Sequence, residues 1–313
     1  MKKFLKASIF VLVLLLVYIY ASFVFIPKSF GEPGGQKYYR GKGYISEPKD
    51  SIEIMSFGNS DLYFGLSPLY LYDLYGYTSY SCGVSRQNLR GVYTLLTDSV
   101  NYQNPKLVIL EVDCFFSKNK RENSKFNNFM MRSTFIFRNH SRWKDLKPKD
   151  FVKLPNYKER DFQRGHVFKK TDSDFKVGNF MGNVDDKPRP FGKLNDKYID
   201  KIMKFCEEKN YPVLFVAFPS AKSWSYAKHN RVRDFAKEKN IPFIDMNLNV
   251  EEIGIRWDDH FIDDGNHLNC YGSDLATKYL GEYLNKNYVF TDQRTNPEYS
   301  DWNEAVIKYK KLF

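Results

Sequence analysis

The stretch Ser51 to Asp61, SIEIMSFGNSD, decides the fold. Its apolar residues, ending at Phe57, form a short run bounded by polar positions, and Gly58 then breaks it, the profile of a buried strand entering a turn. Lys106 to Val112 (KLVILEV), Tyr211 to Phe218 (YPVLFVAF) and Ile241 to Met246 (IPFIDM) share that profile. Their apolar residues run continuously instead of alternating, as in parallel strands covered on both faces. Helical patterns intervene at about 86–100, 196–209, 224–239 and 271–285. Strands alternating with helices predict an α/β chain built on a doubly wound parallel sheet.

Outward from that core, 313 residues suit one large α/β domain with insertions, and 42% hydrophobic with 17% aromatic residues is ample core material. The formal charge is +11, and the three lysines before residue 7 leave +8 for the rest. Such an excess favours anionic partners. Zinc-finger spacing, an RNP-like sequence and a Walker loop are all absent, so nucleic acid is not an expected partner. Cys82, Cys114, Cys206 and Cys270 form no CxxC pair, which argues against a zinc ribbon or redox site. Cys82 and Cys270 flank motifs that should converge, yet unlinked core thiols are expected over a bridge, because no framework spacing is present. Asp258, Asp259, His260, Asp263, Asp264 and His267 are numerous enough for a metal, but one loop rarely supplies the geometry, and neither metal nor cofactor is expected.

Residues 7–26, ASIFVLVLLLVYIYASFVFI, are uncharged and long enough to span a bilayer as a helix. Tyr18, Tyr20, Phe23 and Phe25 carry the run past the short apolar core of a cleaved signal, so an uncleaved anchor is expected. Lys2, Lys3 and Lys6 precede it and only Lys28 follows closely, which keeps the N-terminus cytoplasmic and exports the rest. The expected organisation is an anchor at 1–26, a linker at 27–50, a catalytic-type domain at 51–290 with an insertion at about 115–194, and a tail at 291–313.

In an open parallel sheet, ligands bind beyond the carboxyl ends of the strands. The first strand delivers Gly58, Asn59, Ser60 and Asp61, with Ser60 at the start of a helix whose free N–H groups suit an anion or oxyanion. A lone serine there could be only an N-cap. A partner stands near the other end, in DDGNHLN at 263–269: Asp264 and His267, three apart, would share one side of a helical turn and let the carboxylate orient the imidazole. Asp263 is then a bystander. No GxSxG elbow is present, since Leu62 stands two residues after Ser60, which excludes an α/β-hydrolase.

The GNSD block at Gly58 to Asp61, Gly83 after YTSYSCG, and DGNHLNxxG at Asp264 to Gly272 resemble SGNH (GDSL-type) hydrolases. The resemblance implies an SGNH (flavodoxin-like) three-layer αβα fold with a parallel sheet, following an N-terminal transmembrane helix. By match it makes Ser60 the nucleophile, Asp264 and His267 its triad partners, and Gly83 an oxyanion donor. The family's asparagine-bearing third block has no counterpart, because Phe218-Pro219-Ser220-Ala221 follows the third long strand. The layout is similar to one branch, the single-anchor proteins of lipoteichoic acid D-alanylation and alginate O-acetylation. That likeness implies acyl transfer or deacylation on an envelope polymer outside the membrane, alongside a membrane-bound O-acyltransferase. A non-catalytic polymer-binding scaffold of the same fold is the alternative, and a substrate role for the 115–194 insertion is a further expectation.

Overall fold

The structure, a computed structural model, describes residues 2–29, 32, 35–117, 136, 140–156, 160–171 and 175–313. It divides into two compact units, Met1–Tyr39 with Asn119–Glu159, and Arg40–Lys118 with Arg160–Phe313.

The first unit is built on α1 (Lys2–Val24), a helix long and apolar enough to cross a membrane or to serve as a signal sequence. Its side chains are exposed along most of its length, whereas Ser22, Val24 and Ile26 at its end are buried. A helix end leaves carbonyls without intrahelical donors, and cations are favoured there. Lys28 Nζ donates to Phe23 O (2.6 Å), and Arg142 donates to Phe25 O (2.9 Å). The buried Arg142 is neutralised by Glu32 (3.0 Å) and Asp150 (3.2 Å).

In the second unit, β1 (Ile54–Gly58) leads into α2 (Ser60–Gly65) and α3 (Pro68–Tyr75). Then come β2 (Ser79–Gly83), α4 (Leu89–Ser99), β3 (Leu107–Glu111), α5 (Lys193–Glu208), β4 (Val213–Ala217), α6 (Tyr226–Lys239) and β5 (Phe243–Asp245). A two-stranded hairpin, β6 (Phe261–Ile262) and β7 (His267–Leu268), precedes α7 (Cys270–Asn287) and α8 (Ser300–Lys310). All pairings in the main sheet are parallel and the order is β2-β1-β3-β4-β5, the flavodoxin-like order, so the expected three-layer αβα fold is present.

Alternate strand residues feed the two layers, as the period of two requires. Met55, Phe57, Val108, Leu110 and Phe215 pack with Val92 of α4, Ile202 of α5 and Phe235 of α6. Ile54, Leu107, Ile109, Leu214 and Val216 pack with Leu62 of α2 and with Ala276, Leu280 and Leu284 of α7. The outer edge of β2 is capped where Ser81 N–H donates to Arg164 O (2.9 Å), which deals with an otherwise open edge. Gly165 follows at φ +93, and a Cβ there would stand 2.0 Å from Ser81 O, so only glycine fits.

Three segments differ from the expected organisation. Residues 27–50 are no free linker: Gly35–Arg40 is helical, and Tyr44 in the 3-10 turn Gly43–Ser46 is fully buried with its hydroxyl on Asp98 (2.9 Å). Residues 291–313 are no tail, because α8 buries Trp302 and Tyr309, with Trp302 against Tyr72 (ring centroids 5.0 Å) and under the Arg164 guanidinium (4.7 Å). The 115–194 insertion is shared between the units, and its stretches 118–135, 137–139, 157–159 and 172–174 lie outside the described residues. Trp302→Ala should cost about 3–5 kcal/mol, read as a lower denaturant midpoint; an unchanged midpoint would make α8 dispensable.

Candidate active site

In this strand order the crevice opens between β1 and β3, where the connections leave in opposite directions. Beyond β1 the chain turns at Asn59, whose side chain caps α2 by accepting from Asp61 N–H (2.7 Å), and Ser60 is the first residue of that helix. Gly83 is paired with Gly58 at the end of β2, and a Cβ on it would stand 3.0 Å from Asn59 O and from Tyr63 Cβ. The structure therefore brings Ser60 and Gly83 to the same end of the sheet.

His267 opens β7, and its ring lies on the first turns of α2: Nε2 is 3.5 Å from Asp61 Oδ1, and the ring centroid is 4.8 Å from that of Phe64. Its Nδ1 pairs with Asp263 Oδ2 at 3.0 Å. Asp264, expected to hold this ring, instead points outward, 75% exposed and 3.0 Å from Lys222 Nζ. The reason lies in the backbone. Asp263, Asp264 and Gly265 have φ of 55°, 53° and 78°, so the loop of the β6–β7 hairpin turns left-handed, and the i,i+3 alignment of a right-handed turn does not apply. Aspartate tolerates this region better than most residues, which accounts for two of them in succession.

The segment after β4 holds the hairpin loop against α2. Ser220 Oγ donates to Asn266 O (2.7 Å), Ala221 N–H to Gly265 O (2.8 Å), and Ser223 Oγ to Asp61 Oδ2 (2.8 Å). At the end of β3, buried Glu111 accepts the Asn59 N–H on Oε2 (3.0 Å) and the Asp113 N–H on Oε1. Asp113 accepts from Asn59 Nδ2 (2.9 Å) and from Lys228 Nζ (2.5 Å). Gly58 is needed here, because a Cβ on it would stand 2.5 Å from Glu111 Cβ.

Three carboxyls thus cluster beside the serine, with the Lys228 ammonium held on one of them, Asp113. Burial and the charge of Asp113 lift the pKa of Asp61 to about 8, and burial, with Asp61 and Asp113, raises Glu111 well above the usual carboxylate range. Burial lowers the pKa of His267, against the opposing pull of Asp263, so its ring is neutral at pH 7. A neutral imidazole with one nitrogen on a carboxylate can accept a proton at the other. Among the described residues no group of side chains is arranged to hold a metal ion, and all four cysteines are buried free thiols.

Sequence reasoning missed Asp61, Glu111, Asp113, Lys228 and the contact of Asp263. Glu111 and Asp113 were findable, since they sit at the carboxyl end of a strand already recognised, where ligands bind. Lys228 lies in the first turn of α6 with nothing in its surroundings to mark it.

No family model matches the chain, and no curated protein does. Among solved structures it is similar to a GDSL-like lipase from Bacteroides thetaiotaomicron VPI-5482, at 12% identity and TM-score 0.37, over 74% of this chain and 87% of that one. It is also similar to a family 3 carbohydrate esterase from Clostridium thermocellum, at 14% identity and TM-score 0.37, over 75% and 96%. A third is a variant of an acetyl-xylooligosaccharide esterase from Geobacillus Stearmophilus, at 10% identity and TM-score 0.41, over 78% and 98%.

The raised pKa of Asp61 has a stability consequence. A carboxyl neutral up to about 8 when folded, against 3.8 ordinarily, gives the fold its full contribution below pH 3.8 and loses it as pH rises through 8. Asp61→Asn, which keeps the acceptor for Ser223, should therefore unfold at the same temperature as the parent near pH 4. Near pH 9 it should be more stable, by at least about 1 kcal/mol. Equal stability at both pH values would place the Asp61 carboxyl in the ordinary range.

Proposed function

We propose that this chain is a serine-dependent acyl esterase or O-acyltransferase of SGNH type. The observation that carries the reading is the neutral His267 ring, held by Asp263 at one nitrogen and laid with the other over the first turn of the helix that Ser60 begins. Ser60 Oγ attacks the acyl carbonyl, its proton passes to His267 Nε2, and the carbonyl oxygen becomes an oxyanion facing the Ser60 and Gly83 N–H groups. The leaving alkoxide then takes the proton from His267. A second hydroxyl, from water or from an acceptor alcohol, then attacks the acyl carbon and gives its proton to the same nitrogen; the Ser60 Oγ–acyl bond breaks and Ser60 Oγ takes that proton back, restoring the free serine and the neutral ring. Asp263 fixes the ring and its tautomer in the role the family match gave to Asp264.

The acceptor in this reading is an envelope polysaccharide or a teichoic-acid-like polymer, with a membrane-bound O-acyltransferase as partner. Its support is the apolar α1 with lysines on its N-terminal side, a pattern that favours a cytoplasmic N-terminus and export of the chain that follows, and the basic charge of the chain.

An activated-serine phosphonate probe should label the purified full-length protein in detergent, and both Ser60→Ala and His267→Ala should abolish labelling. Undiminished labelling of Ser60→Ala would refute the assignment, and a polymer phenotype intact in Ser60→Ala cells would favour the non-catalytic scaffold. The two aspartates separate cleanly. Asp263→Asn should slow turnover of a small activated ester by about 10³-fold or more, the scale of a lost triad carboxylate, while Asp264→Asn stays near the parent rate. The reverse ranking would restore Asp264.

A further inference from the structure

We infer that residues 142–154 are a second membrane contact, a loop pair that enters the outer interface of the bilayer beside the anchor helix. The inference goes beyond the proposed chemistry and rests only on α1 being a membrane span.

The 3-10 turns His140–Lys144 and Pro148–Phe151 belong to the same compact unit as α1. Three contacts fasten them to its end: Arg142 to Phe25 O (2.9 Å), Asn156 N–H to Lys28 O (2.9 Å), and Tyr20 Oη to Phe151 O (2.9 Å). The last one sets the depth. Tyr20 lies four residues back from the helix end at Val24, about 6 Å along the axis at 1.5 Å per residue. The apolar run of 20 residues matches a hydrocarbon core of about 30 Å, so a backbone level with Tyr20 cannot stay clear of the interface.

The exposed side chains suit that depth. Trp143 is 64% exposed, Phe151 44%, Val152 81% and Leu154 74%, a cost in water that lipid removes. Tryptophan and tyrosine favour the headgroup level. Lys144, Lys147 and Lys153 are exposed around them against one exposed carboxylate, Asp145, a balance that suits a bilayer with anionic lipid. The polar centre of the turns is sealed from that medium: Arg142 and Asp150 are buried and paired, and Asp150 also accepts the Lys147 N–H (2.8 Å).

The test is a spin label on a single introduced cysteine in the full-length protein, in nanodiscs of mixed zwitterionic and anionic lipid, since the four native thiols are buried. Val152→Cys and Leu154→Cys are compared with Leu14→Cys in α1 and with Val289→Cys, 89% exposed in the second unit. The expected result is that labels at 152 and 154 meet an aqueous nickel chelate several-fold less often than the label at 289, and oxygen more often. Aqueous behaviour at 152 and 154 with a lipid-like label at 14 would overturn the second contact and leave the anchor. Aqueous behaviour at 14 as well would overturn both. Neither result bears on Ser60, which the phosphonate probe reads separately.

Discussion

The candidate site depends on the few residues between Ser220 and Ser223. Its two halves come from opposite ends of the unit, the serine from the first strand and the imidazole from a hairpin more than two hundred residues later. Neither half can position the other through local sequence. The stretch after β4 bonds the hairpin loop through Ser220 and Ala221, and bonds α2 through Ser223 on Asp61. Ser220 is itself fixed from β5's end, its N–H donating to Asn247 Oδ1 (2.9 Å). The third, fourth and fifth strands therefore act on the relative position of two groups that none of them carries. Left-handed backbone at two successive aspartates costs conformational energy, and these bonds are among those that offset it.

Beside the serine the chain gathers three carboxyl groups, Asp61, Glu111 and Asp113. Lys228 pairs with Asp113, while Glu111 is met by backbone N–H donors, and Asp61 and Glu111 hold their protons. A neutral Asp61 leaves the adjacent His267 ring free of a second full negative charge, which would otherwise favour the imidazolium. The packing of Gly58 on Glu111 makes this arrangement a property of the β1–β3 contact as much as of the side chains.

Much of this was legible in advance because burial writes itself into parallel strands. The four long apolar runs became β1, β3, β4 and β5, and YTSYSCG became β2. Ser60 and His267 could be picked out as candidates because the serine follows a recognisable strand and the histidine sits in the DGNHLN motif. The partner carboxylate was not, since DDGNH reads equally well with either aspartate and only the sign of φ decides between them. Tyr44 and Trp302 escaped for a different reason: each lies in a polar stretch, and its burial comes from surfaces supplied by distant segments. Tertiary packing of that kind leaves no local period to read.

The four thiols give the molecule an internal gauge of its own motions. Cys82 lies in β2, Cys114 just after β3, Cys206 in the last turn of α5 and Cys270 at the start of α7, and none is more than 2% exposed. Burial pushes all four away from the reactive thiolate. Alkylation of any of them therefore has to wait for its neighbourhood to open. Trapping rates compared across the four sites would rank the opening energies of the sheet edge, the sheet centre, one covering helix and the turn that carries the imidazole, without adding a single probe to the chain.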